Sequence, residues 1–166
     1  SVTLHGDTLI DDYAWLAHRE SAEVRAYLDA ENAYAKQLLE PIRDLQKTLY
    51  EEIVGRIQET DQSAPYRIGD FEYYHRTEQG QQYKTYCRRK PGEPETEERL
   101  LDMNALATGR PFLGLGAYEI SPDGRYLAFS LDEAGSRDYT LQIKDLHAGR
   151  LLPERIAKVK SVAWAS

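Results

Sequence analysis

An α+β fold, helices first and antiparallel sheets after, is predicted by three features of this sequence. Apolar residues recur at helical spacing as far as Ile57, they alternate along tyrosine-rich segments beyond Pro65, and the pattern around Ile120 returns at Trp164. These give amphipathic helices, half-buried strands and a repeating unit of about four strands. The 166 residues amount to one domain or slightly more, at roughly 100–200 residues per domain. Hydrophobic residues make up 41% and aromatics 10%, which suffices for a core and argues against wholesale disorder.

Val24, Tyr27, Leu28, Tyr34 and Leu38 place one helix after Ser21, and Ile42, Leu45, Leu49, Ile53 and Ile57 place a second. Ser21 suits the N-cap of the first, and Pro41 suits the first turn of the second, where a missing N–H has no partner to lose. A short helical turn over Asp11–Leu16 would present Tyr13, Trp15 and Leu16. Gly55 and residues 60–65 close the helical part.

Beyond Pro65 the period falls to two and tyrosines accumulate, as in pleated, half-buried strands. Arg67–Phe71 reads as a tight hairpin, and Glu78–Gln81 as another joining strands 71–77 and 81–89. Pro91–Glu98 is expected to be a charged loop, Arg99–Asp102 a short strand, and Asn104–Pro111 irregular. Strands follow at Tyr126–Leu131, Tyr139–Asp145 and Arg150–Leu152. Such spacing fits a sandwich, a barrel or a propeller.

The repeat favours the propeller. Ala117–Gly124 has a strand end, a Pro122-Asp123-Gly124 turn and a new strand at Arg125–Phe129, and Val162–Ser166 repeats its first half, with Trp164 falling 44 residues after Ile120. A period near 40–50 with four strands per unit is the propeller signature. Residues 66–166 supply about two such blades, so the chain is expected to be an N-terminal piece of a longer protein. Its expected domains are a helical extension over 1–62 and the first, incomplete set of blades over 63–166.

Charge and composition exclude several functions. The net charge is −7, with 6 basic and 12 acidic residues over 1–60 and 15 and 16 over 61–166. No basic stripe rewards a phosphate backbone, so nucleic acid is not an expected partner. No apolar run approaches the roughly 20 residues that span a bilayer, so no membrane is expected either. Ser1–Asp12 lacks the order of a signal peptide, and the lone Cys87 has no internal disulfide partner, which points to a reducing, cytoplasmic setting.

The reactive constellations are missing. None of the serines, at 1, 21, 63, 121, 130, 136, 161 and 166, sits in a Gly-x-Ser-x-Gly elbow. His5, His18, His75 and His147 lack the spacing of a zinc helix. Gly114-Leu115-Gly116 lacks the third glycine of a dinucleotide loop and reads as a bulge or tight loop. Asp11-Asp12 reads as a solvated pair at a helix start, Arg88-Arg89-Lys90 as a charged strand end protecting a sheet edge, and Cys87 as a small apolar filler. The tyrosines read as packing between blades rather than a base-stacking platform. No catalytic residue, metal ligand or cofactor group is therefore assigned.

Several spaced motifs carry a resemblance that runs through essentially the whole chain. His5-Gly6-Asp7-Thr8, Asp11–Leu16, Tyr27–Tyr34 and Glu52–Ile57 resemble the N-terminal region of the prolyl oligopeptidase family. Arg56-Ile57, Ser63–Tyr66, Tyr83-x-x-Tyr86-Cys87-Arg88-Arg89, Leu100–Asn104 and Ile120–Gly124 resemble its oligopeptidase B branch. The resemblance implies a serine peptidase whose seven-bladed propeller covers a C-terminal α/β-hydrolase domain and whose helical extension lies against that domain. It further implies short, basic peptides as substrates, cut after Arg or Lys, with the Ser/Asp/His triad in the hydrolase domain and outside this chain. A propeller that gates access by size and helices that bury Tyr13, Trp15, Leu28, Leu45 and Leu49 between domains follow from the same resemblance. A peptidase cutting after Pro and a non-catalytic propeller are the alternatives.

Overall fold

The computed structural model describes residues 2–165. Ser166, which closes the Val162–Ser166 repeat, lies outside the described residues, as does Ser1. The chain divides into two compact units, one through Ile57 and one from Gln58.

The first unit opens with a hairpin of β1 (Val2–Leu4) and β2 (Asp7–Leu9), in which Leu4 faces Asp7. Its two loop residues, His5 and Gly6, have φ of 54° and 93°, the left-handed pair that a tight hairpin turn requires. A 3-10 turn follows at Ala14–Ala17, displaced toward the C-terminus from the expected Asp11–Leu16. Asp11 accepts the Tyr13 N–H at 2.9 Å, which ties the carboxylate into the preceding loop.

Helix α1 spans Ala22–Leu39 and α2 spans Arg43–Gly55. Ser21 caps α1 as expected, its Oγ accepting the Val24 N–H at 3.2 Å. Pro41 lies not in the first turn of α2 but in a separate 3-10 turn, Glu40–Ile42, that joins the helices. A proline ring there removes one N–H and interrupts the helical ladder, so the continuous pattern becomes two helices. Leu28, Leu38, Leu45, Leu49 and Ile53 all remain exposed in this chain, as does Tyr13. Trp15 is half-buried and meets Tyr27 edge-on at 5.3 Å.

The second unit contains two antiparallel sheets. In the first, β5 (Phe71–Thr77), β6 (Thr85–Lys90) and β7 (Glu93–Asp102) run as a meander. Two short strands, β3 (Asp61–Gln62) and β4 (Tyr66–Ile68), pair with successive halves of β5 and fill a single fourth position. Pro65 has no N–H for the ladder, and Ser63 bridges the break: its N–H donates to His75 O at 2.9 Å and its Oγ accepts the His75 N–H at 3.0 Å. The β4–β5 hairpin turns at Gly69-Asp70 as expected, with Gly69 at φ 56°.

Four expectations fail in this sheet. Strand β6 begins at Thr85 rather than residue 81, because Asn104 takes both backbone groups of Tyr83 at 2.8 Å and so competes with the ladder. Pro91–Glu98 is not a loop: the chain turns at Pro91-Gly92, with Gly92 at φ 78°, and β7 starts at Glu93. Pro94 is tolerated because β7 is an edge strand, where an N–H is not needed on the open side. Asn104–Pro111 is not wholly irregular, since α3 (Met103–Ala107) starts there under a cap from Asp102, whose carboxylate accepts the N–H groups of Asn104 and Ala105. Finally, Arg88-Arg89-Lys90 does not guard an edge, because β6 lies between β5 and β7.

The second sheet is a four-stranded meander of β8 (Gly114–Ile120), β9 (Tyr126–Asp132), β10 (Thr140–Asp145) and β11 (Arg150–Ala157). Strand β11 runs past the expected end at Leu152 because Pro153 sits in a register shift on the outer edge. The Gly114–Gly116 segment forms a bulge, as expected: Leu115 faces Leu131 but Tyr118 faces Phe129, one extra residue on β8. Ser130 Oγ accepts the Ala117 N–H there at 2.8 Å, and a Cβ on Gly116 would stand 2.6 Å from that Oγ and 2.6 Å from Tyr139 Cδ1. Gly116→Ala is therefore expected to destabilise the chain by about 1–3 kcal/mol, read as a lower urea midpoint at unchanged m-value.

The core lies between the two sheets. Tyr73, Leu100, Leu101 and Met103 from the first sheet and its helix pack with Leu113, Leu127, Phe129 and Leu131. Tyr86 stacks on Tyr118 across the junction with ring centroids 4.6 Å apart. Tyr73, Tyr86 and Tyr118 thus pack between the sheets, whereas Tyr74 donates to Glu97 within its own sheet, and Cys87 is a buried filler on β6.

Candidate functional site

The potentially reactive residues are committed to holding turns and strand ends. Ser121 Oγ donates to Asp123 at 2.6 Å and accepts the Tyr126 N–H at 2.8 Å, while the Gly124 N–H closes the turn on Ser121 O at 2.8 Å. The Ser121 hydroxyl and then the Arg125 N–H hold Asp123 below the usual carboxylate range. Ser130 and Ser63 serve the backbone as described above. Burial, aided by nearby Lys84, lowers His75 below the ordinary histidine value. Among the described residues no serine hydroxyl is hydrogen-bonded to a histidine ring, and no three His, Cys, Asp or Glu side chains gather as metal ligands.

Strand-end aspartates were missed in the sequence. Asp102, Asp132 and Asp145 each end a strand and each accept the N–H groups two and three residues on. Asp132, 2% exposed, also accepts the Arg137 N–H at 2.7 Å. Burial opposes its charge, but the N–H groups of Ala134, Arg137 and Gly135 together outweigh it and hold the carboxyl below its ordinary value. The signal was an Asp at the end of an alternating run, with Gly three or four residues later at Gly135 and Gly149.

A cleft of about 310 Å³ lies beside the Ser121–Arg125 turn, lined by Ser121, Pro122, Asp123, Tyr126, Trp164 and Ala165. Trp164 stacks on Tyr126 with centroids 6.3 Å apart, and its indole N–H donates to Glu119 O at 3.2 Å. The repeated segment thus returns to the turn that it resembles in sequence. Arg89 pairs with Glu72 at 3.2 Å, and Arg88 is buried, so neither stands free for an anion.

Two antiparallel sheets, each four strand positions wide and sharing a core on their facing sides, are what successive blades of a β-propeller present. Comparison with known proteins agrees: residues 1–166 match the family profile described as prolyl oligopeptidase, N-terminal beta-propeller domain. The chain belongs to the prolyl oligopeptidase family. It is 37% identical to a dipeptidyl aminopeptidase BI of Pseudoxanthomonas mexicana, over 97% of this chain and 25% of the relative. It is 40% identical to an uncharacterized peptidase of Sinorhizobium fredii, over 98% of this chain and 22% of the relative. The solved oligopeptidase B of Leishmania major superposes with a TM-score of 0.81 at 30% identity, covering 89% of this chain and 22% of that one. The chain therefore spans about a quarter of the length of the relatives it matches. No helix among the described residues is long and apolar enough to cross a membrane.

Proposed function

We propose that this chain supplies the helical extension, residues 1–62, and the first blades, residues 63–166, of a serine oligopeptidase that hydrolyses short peptides after Arg or Lys. The triad that attacks the peptide lies outside these residues, in an α/β-hydrolase domain. There a serine Oγ attacks the carbonyl, a histidine carries the proton, and backbone N–H groups hold the oxyanion. The blades act on access, excluding folded proteins and admitting flexible chains. The likeness to an oligopeptidase B structure, held through both units of the chain, supports this reading. A cytoplasmic location accords with one buried thiol and no disulfide.

The test is hydrolysis of Arg-linked and Pro-linked chromogenic peptides by the whole protein. Faster turnover of the Arg substrate is expected, and a preference for the Pro substrate would overturn the assignment in favour of a prolyl peptidase. The exposed apolar positions of α1 and α2 are proposed to be covered by the hydrolase domain. Trp15, which supports Tyr27 on α1, then contributes to stability alone. Trp15→Ala is expected to lower the melting temperature of the whole enzyme and leave kcat and KM unchanged. An unchanged melting temperature contradicts that role.

A further inference from the structure

Two cationic side chains cross between the sheets of the second unit in opposite directions, and each ends on a backbone carbonyl. Arg88 on β6, 7% exposed, donates from Nη1 to Gly124 O at 2.7 Å, in the Ser121–Arg125 turn of the other sheet. Its Nε and Nη2 grip Glu98 Oε2 at 3.0 and 2.8 Å, and its guanidinium lies 4.2 Å over the Phe71 ring. The first sheet therefore orients this cation before it meets the turn. Lys144 on β10 reaches the other way and donates from Nζ to Leu100 O on β7 at 2.8 Å. Burial lowers its ammonium below the usual lysine range, as expected for a cation drawn into the junction.

The choice of acceptor matters. Apolar packing between the sheets is non-directional, so it sets their separation but fixes their relative angle weakly. A backbone carbonyl stays where the register puts it and cannot follow a moving cation as a flexible carboxylate can. One such contact leaves a pivot, whereas two separated ones remove both sliding and in-plane rotation. Gly124 has φ of 69°, the left-handed conformation that glycine adopts without strain, which fixes its carbonyl at the end of the turn.

The geometry points to a two-point clasp, Arg88 on Gly124 and Lys144 on Leu100, that locks the two sheets in one stacking orientation so that they move as a single body. The clasp concerns the chain itself and stands or falls independently of substrate preference.

Amide hydrogen exchange on the whole protein, read at the amides of these two sheets, tests it. The Ser121 and Gly124 N–H groups, bonded to Tyr126 O and Ser121 O, report the Arg88 end, and the Met103 N–H, bonded to Lys84 O, reports the Lys144 end. Lys144→Met is expected to speed exchange about tenfold at Ser121 and Gly124 as well as at Met103, the order of effect that loss of a charge-assisted hydrogen bond gives. Arg88→Met is expected to do the converse, and Lys144→Arg, which keeps the cation, to restore protection. Effects confined to each variant's own end, or a uniform acceleration of every amide in the unit, overturn the clasp. Should Arg88→Met not fold, Arg88→Lys replaces it with the same reciprocal readout, because an ammonium cannot hold Glu98 and Gly124 together in the same fork geometry.

Discussion

Phe129→Ala is expected to destabilise the second unit by about 3–5 kcal/mol, the usual cost of emptying a buried aromatic site. The ring is 2% exposed and lies among Leu127, Leu131, Leu100 and Tyr73, where both sheets contribute. Neighbours on two hydrogen-bonded sheets cannot collapse far into the void, so the cavity term adds to the lost transfer energy. Urea denaturation followed by circular dichroism gives the number. Leu151→Ala on β11 is the control: that side chain is 49% exposed, and its loss is expected to shift stability by no more than about 0.5 kcal/mol. Equal effects from the two substitutions contradict a core between stacked sheets.

Asp132→Ala is expected to lower the melting temperature further than Asp123→Ala. The Asp132 carboxylate accepts three N–H groups, from Ala134, Gly135 and Arg137, whereas Asp123 accepts the Arg125 N–H and the Ser121 hydroxyl. A methyl group at position 132 leaves those donors without their acceptor beside a buried strand end. Acid should reproduce part of the effect. The carboxyls of Asp123, Asp132 and Asp145 all titrate below their ordinary value in the folded chain. Their stabilisation is therefore complete above the unfolded carboxylate pKa, near 3.9, and is lost as pH falls through the folded values. Wild type should lose stability on acidification below about pH 4. Asp132→Ala should show a shallower loss over the same range, and an identical slope in the two proteins contradicts the assigned role.

Much of the architecture was legible because two periods leave distinct marks. The helix over Val24–Leu38, the Ser21 cap, strands β5 and β9, and the Ile120–Trp164 repeat all appear in the folded chain, although β9 is buried on both faces rather than alternately. The errors cluster where a local rule was read without its tertiary setting. Pro91 and Pro94 suggested a loop, yet Pro91 occupies only a tight turn, and Pro94 and Pro153 lie on edge strands that spare them the N–H they lack. Asn104 looked like loop chemistry, but it captures Tyr83 and shortens β6. Arg88 belonged to a charged run and so looked superficial. Its burial depends on Glu98, Phe71 and Gly124, which come from three other segments of the chain, and no local window could bring them together. The functional reading had a different source. The blades carry packing residues, and no catalytic constellation in them encodes peptide hydrolysis; the spaced motifs that resemble the prolyl oligopeptidase family supplied that link, and the family match agrees with them.

The most direct test of the account is to expose the purified 166-residue chain to a serine-directed fluorophosphonate and to an Arg-linked chromogenic peptide. Blades without a nucleophile should be neither labelled nor able to turn over the peptide. Stoichiometric labelling of any serine in the chain, accompanied by hydrolysis, would contradict the account.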